Sequence, residues 1–114
     1  LAAEPVVREA GDGVLWRVID RVIVKGKGSA IRISEPLCAM GDATDALREL
    51  KRRYEEAFAE YVEGKFAEAE RLLVALLDSI PDDEPSKMLM ERCRQFQKEP
   101  PEGDWQGVTR FATK

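Results

Sequence analysis

Between Leu47 and Ile80 apolar residues recur every three or four positions, with one interruption at Gly64. Leu47, Leu50, Tyr54, Ala57, Phe58 and Tyr61 make one stripe, which predicts a helix ending near Val62. Phe66, Ala69, Leu72, Leu73, Leu76 and Leu77 make a second, which predicts a helix from about Lys65 to Ser79, closed by Pro81. Asp42 or Thr44 suits the cap of the first helix, because either side chain can accept a bond from a free first-turn N–H. Glu49 with Arg53 and Lys51 with Glu55 decorate its outer face, each pair worth roughly a few tenths of a kcal/mol. Asp82-Asp83-Glu84-Pro85 then reads as a new helix start: acidic groups suit the positive end of the dipole, and proline tolerates the first turn. The third helix is expected over about Pro85 to Gln97, using Met88 or Leu89, then Arg92/Cys93 and Phe96, and Pro100-Pro101 ends it.

Upstream the period shortens. Val14–Val24 reads VLWRVIDRVIV, with Leu15, Arg17, Ile19 and Arg21 on one face and Trp16, Val18, Asp20 and Val22 on the other. Its β-branched and aromatic residues predict a strand. The apolar phase shifts near Asp20-Arg21, where a bulge is expected. Lys25-Gly26-Lys27-Gly28-Ser29 is the turn, and Ala30–Ser34 the second strand, with Ile31 and Ile33 on one face and Glu35-Pro36 as its stop. A two-stranded hairpin alone is marginal in water, so this one must pack on helices or on a further sheet. Leu1–Gly13 is weakly patterned, with Pro5 and a Gly11-Asp12-Gly13 turn. Trp105, Val108 and Phe111 are too apolar for a free tail and are expected to pack back on the helices.

Composition narrows the function classes. In 114 residues, 44% are hydrophobic and 35% charged, as in a soluble globular chain, and the net charge of -4 is uneven. Residues 1–40 hold six Lys/Arg against five Asp/Glu, whereas residues 41–114 hold twelve against seventeen. An acidic helical half argues against nucleic acid as a partner, since phosphate binding needs a basic face. No apolar run approaches the roughly 20 residues that span a bilayer, so no membrane contact is expected of this segment. There is no His, and Cys38 and Cys93 lack CxxC spacing, which excludes a recognisable zinc site or a thiol–imidazole pair within the chain. Both cysteines are expected as buried free thiols in a reducing, cytoplasmic setting. The chain opens at Leu1 without Met, so a piece of a longer protein is the expectation.

Two motifs carry more. Ala57, Tyr61, Gly64, Phe66, Ala69 and Pro81 resemble the small, aromatic, turn-glycine, aromatic, alanine and terminal-proline positions of one tetratricopeptide repeat (TPR), with a turn one residue shorter and no second full repeat. A lone repeat must bury its face on its flanks or on a partner. Tyr54, Phe58, Tyr61, Phe66, Leu73 and Trp105 are therefore the candidate packing or partner face. The fold class expected is α+β: an N-terminal β-hairpin, a three-helix TPR-like bundle and an ordered C-terminal tail. The second motif is Val24-Lys25-Gly26-Lys27-Gly28, where glycine lets backbone N–H groups approach an anion and lysine supplies point charge, as a polyphosphate requires.

The run from Trp16 through Lys27, with Ile31-Arg32-Ile33 and Glu35-Pro36-Leu37, resembles the last two strands of a class III adenylate/guanylate cyclase catalytic domain. Downstream, Tyr54, Phe58, Tyr61, Gly64-Lys65-Phe66, Ala69, Pro81-Asp82-Asp83, Pro85-Ser86, Glu91-Arg92-Cys93, Pro100-Pro101, Asp104-Trp105 and Gly107-Val108-Thr109 are similar to the segment C-terminal to that domain in many bacterial cyclases. The resemblance covers about Val6 to the C-terminus. It implies that residues 1–37 are the terminal hairpin segment of a catalytic domain, 38–45 a linker, and 46–114 a helical TPR-like extension. It implies that Lys25, flanked by Gly26 and Lys27, contacts the nucleotide phosphates of the parent. The family's metal-binding aspartates, its transition-state Asn and Arg and most base-selecting residues lie upstream, in strands this chain lacks. No catalytic residue, metal ligand or cofactor is therefore expected here, and Asp20 does not match a metal ligand. A two-metal phosphoryl-transfer site needs paired carboxylates.

The implied parent converts ATP to cyclic AMP and pyrophosphate with Mg²⁺ or Mn²⁺, dimerises, and serves intracellular signal transduction. It is compatible with membrane anchoring through upstream segments. The fragment is then a silent packing and regulatory extension of the parent catalytic domain. Two other readings stand beside it: an independent TPR-like protein-interaction module without enzymatic role, and a homodimer that exchanges its hairpin between chains.

Overall fold

The computed structural model describes residues 2–3, 13–24, 31–101, 105 and 109–111. They comprise β1 (Ala2–Ala3), β2 (Val14–Val24), β3 (Ile31–Ala39), a 3₁₀ turn (Met40–Asp42), α1 (Asp45–Val62), α2 (Phe66–Ser79), α3 (Glu84–Lys98) and β4 (Thr109–Phe111). The fold is α+β, an antiparallel hairpin followed by three helices. The chain divides into two compact units, residues 1–51 with 108–114, and residues 52–107.

In the first unit the strands lie in the order β1-β3-β2-β4. The β2/β3 hairpin runs from Val22↔Ile31 to Val14↔Ala39, and its register shifts twice. Leu37 is the extra residue on β3, between the Leu15↔Cys38 and Trp16↔Pro36 pairs. Ile19 is the extra residue on β2, between Val18↔Ser34 and Asp20↔Ile33. The bulge thus falls just before the Asp20-Arg21 position expected from the apolar pattern. Its effect is visible in burial. An extra residue in a strand of period two flips the inward parity, and the buried positions change from Leu15 and Arg17 to Val22.

Pro36 does not end the second strand, as it was expected to; β3 continues to Ala39. Proline lacks an N–H and fits a strand only at an edge or a bulge. Pro36 meets both conditions. It precedes the bulged Leu37, and among the described residues β1 pairs with β3 at Ile33 and Ser34, short of Pro36. Cys38 and Ala39, expected in a linker, accordingly belong to β3. Arg17 is 1% exposed and lies directly opposite Glu35, whose carboxylate oxygen is 2.5 Å from its Nη2. A guanidinium taken out of water needs such a carboxylate.

Thr44 caps α1: its Oγ1 accepts the Leu47 N–H at 3.1 Å. The helix ends as glycine-terminated helices do. Gly64 has φ 81°, its N–H donates to the Tyr61 carbonyl at 3.0 Å, and the Lys65 N–H reaches the Glu60 carbonyl at 2.9 Å.

In the second unit Tyr54, Ala57, Phe58 and Tyr61 of α1, Ala69, Leu73 and Leu76 of α2, and Leu89 and Cys93 of α3 are buried. Phe66, Leu72 and Leu77 are half-buried. Of the two candidates in the third helix, Leu89 points inward and Met88 is 60% exposed. α3 begins with Pro85 in its first turn, and the buried Ser86 hydroxyl donates to the Asp83 carboxylate. Across α2 and α3, Glu70 accepts from Arg94 Nε and from Gln97 Nε2, each at 2.7 Å. Among the described residues no helix is long and apolar enough to cross a membrane.

Candidate functional site

Lys25, Gly26 and Lys27 lie outside the described residues, so the phosphate-binding candidate is located through its flanks. β2 enters it at Val24 and β3 leaves near Ile31. One step back, Arg21 and Arg32 are directly opposite each other in the hairpin. On the other side of β2, the parallel strand β4 places Thr109, Arg110 and Phe111 opposite Val22, Ile23 and Val24. Backbone register therefore places Arg21, Arg32 and Arg110 near the end of the sheet at which β2 runs out at Val24. The motif alone points to the two lysines. Nothing local in the sequence points to Arg110, because its place depends on pairing between distant parts of the chain.

The second candidate is the aromatic face. Tyr54, Tyr61 and Leu73 are each no more than 2% exposed, Phe58 is buried, and Phe66 and Trp105 are half-buried. The Tyr61, Phe66, Phe96 and Trp105 rings form a closed cluster with centroids 5.1 to 6.2 Å apart. Trp105 stands edge-on to Tyr61 at 88°, the arrangement favoured by ring quadrupoles, worth about 0.5–1.5 kcal/mol per pair beyond burial. Its Nε1–H donates to the Tyr61 carbonyl at 2.7 Å, so the polar tip of the indole is satisfied while its ring packs against its aromatic neighbours. Phe58 extends the row, 5.6 Å from Tyr61 and 6.4 Å from Tyr54. The face is thus filled by Phe96 and Trp105 of the same chain.

Other chemistry is sparse. Burial, and then the negative charge of Glu70, push the Cys93 thiol up to about 12 against the weaker opposing influence of Arg92, which leaves it a neutral and unreactive sulfur at physiological pH. Cys38 is half-buried, and both sulfurs are free. Hydrogen bonds from Arg94 and then Gln97 hold the Glu70 carboxyl below its usual range. Among the described residues no group of three or more His, Cys, Asp or Glu side chains could hold a metal ion. Comparison with protein-family models, with curated proteins and with solved structures finds no match to this chain.

Proposed function

We propose that this chain is the C-terminal part of a class III nucleotide cyclase: the last β-hairpin of the catalytic domain followed by a helical, TPR-like extension. The observation that carries the reading is the hairpin itself. Two long strands pair antiparallel across Val24-Lys25-Gly26-Lys27-Gly28, with Val22↔Ile31 as the last described pair before the lysines. That arrangement gives a glycine-flanked lysine a rigid base from which to meet a nucleotide's phosphates. In the parent, Lys25 would offset charge on the pyrophosphate that leaves as ATP closes to cyclic AMP. The metal and the groups that drive the closure would come from upstream residues. The fragment by itself is catalytically silent, and its helices serve as a packing and regulatory extension.

In the full-length parent, Lys25→Ala should raise the KM for ATP, and an unchanged KM removes Lys25 from the phosphate site. The isolated chain given Mn²⁺ and ATP should make no cyclic AMP above background; production would overturn the assignment of silence. The alternative of an independent interaction module draws on Val74 and Met88, large apolar side chains 41% and 60% exposed on α2 and α3. Capture of a partner that survives Lys25→Ala and is lost on Met88→Glu would favour that alternative. The Phe96 and Trp105 rings seated on Tyr61 support the extension reading, because they occupy the face a peptide would otherwise take.

A further inference from the structure

We propose that Arg17 and Glu35 lock the middle of the β2/β3 hairpin one residue out of step with its ends, and that breaking the pair lets the middle slip into a second register. The two extra residues of the hairpin compensate each other. Leu37 on β3 shifts the pairing by one between Leu15↔Cys38 and Trp16↔Pro36, and Ile19 on β2 shifts it back between Val18↔Ser34 and Asp20↔Ile33. A regular ladder continued from Val22↔Ile31 and Asp20↔Ile33 would instead pair Ile19 with Ser34, Val18 with Glu35, Arg17 with Pro36 and Trp16 with Leu37. It would then arrive at Leu15↔Cys38 and Val14↔Ala39, the pairs that close the hairpin now. The two registers share both ends and differ only over residues 16–19 and 34–37.

The difference exchanges faces. β3 has no extra residue between Ile31 and Glu35, so the residues opposite Ile31, Ile33 and Glu35, namely Val22, Asp20 and Arg17, share one face. In the regular ladder Val18 and Trp16 would take that face beside Val22, and Arg17 would leave it. The plain alternation of β2 suits that second arrangement, since Trp16, Val18 and Val22 are apolar while Arg17 and Arg21 fall opposite. The observed register carries three costs. Two residues stand without a cross-strand partner in the ladder. The Arg17 guanidinium is out of water at 1% exposure. Trp16 Nε1 is buried and finds no hydrogen-bond partner among the described residues. Against them stands the 2.5 Å bond from Arg17 to Glu35, made across a directly opposed pair that exists only in this register. Glu35 is the half of the lock open to perturbation, with its side chain 33% exposed against 1% for Arg17.

Cross-strand nuclear Overhauser contacts in the isotope-labelled whole chain read the register directly. Val18 opposite Ser34 marks the observed register, and Val18 opposite residue 35 the slipped one. Glu35→Gln should lose the first contact and gain the second, while Leu15↔Cys38 and Val22↔Ile31 stay as they are. A Glu35→Gln chain that keeps Val18 opposite Ser34 overturns the lock. The same substitution in a chain lacking both Ile19 and Leu37 separates a lock from plain stabilisation. There the observed pairs form one regular ladder, and no second register shares both of its ends. Glu35→Gln should then leave Val18 opposite Ser34, and a slip in that chain overturns the proposal. If Glu35→Gln unfolds the hairpin of the full-length sequence, it must still leave the doubly deleted chain paired. Unfolding in both, or a doubly deleted chain that fails to form the observed pairs, overturns it as well.

Discussion

Replacing Gly64 with alanine isolates the cost of the turn between α1 and α2. At φ 81° the position is left-handed, and a Cβ built there meets only Trp105 Cδ1, at 3.5 Å, an ordinary contact. The penalty is therefore conformational rather than steric. An L-residue in this region costs about 1–2 kcal/mol. Removing a glycine also stiffens the unfolded chain, which returns about 0.4–1 kcal/mol. The net expectation is a loss of about 1 kcal/mol, or a fall in Tm of about 4–8 °C for a domain of this size. Thermal melts followed by far-UV circular dichroism measure it. Gly64→Asn should lose less than alanine, since asparagine enters the left-handed region more readily, and Gly64→Val should lose more. Tryptophan emission of the folded Gly64→Ala chain should be unchanged, because the contact with the indole is not a collision. An alanine variant as stable as the parent sequence, or an asparagine variant no better than alanine, refutes the reasoning.

The core of the helical unit yields two further outcomes. Leu73→Ala, at a fully buried position, should destabilise by about 2–5 kcal/mol in denaturant titration, whereas Val74→Ala beside it, 41% exposed, should stay within about 0.5 kcal/mol. Cys93 contributes a pH dependence whose sign is set by its raised pKa: folding keeps the thiol protonated between its ordinary value near 9.0 and about 12, so stability is intact below that window and falls as pH rises through it. Cys93→Ala should remove that part of the alkaline slope in stability measured across the window, whatever its effect at neutral pH.

The helices were legible because each carries an uninterrupted apolar stripe and a chemical stop. Thr44, Gly64 and Pro85 each occur where a cap, a left-handed turn or a first turn requires that residue type. The choice between Met88 and Leu89 was not legible, since neighbouring apolar positions fit a helical stripe equally well and only the packing selects Leu89. β1 and β4 escaped for a different reason. Strands of two and three residues have no period to read, and their partners lie far along the chain. Val108 and Phe111 were expected on the helices; Val108 lies outside the described residues, and the backbone of Phe111 pairs with β2. The lysine motif was readable as chemistry, but that Arg21, Arg32 and Arg110 share one end of the sheet became visible only through strand register. The aromatic face was readable as a row on α1 and α2. That Trp105 would cap the row through the Tyr61 carbonyl depends on a backbone acceptor, which no side-chain pattern announces.

The pairing of Ile23 with Arg110 also has a kinetic meaning. It joins segments separated by nearly the whole chain, so its loop-closure entropy must be met before the ladder returns anything. The α2–α3 hairpin is local and can assemble ahead of it. β4 is thus expected to dock last, after the folding transition state. Substitutions in Thr109–Phe111 will act on the rate of unfolding and leave the rate of folding nearly untouched.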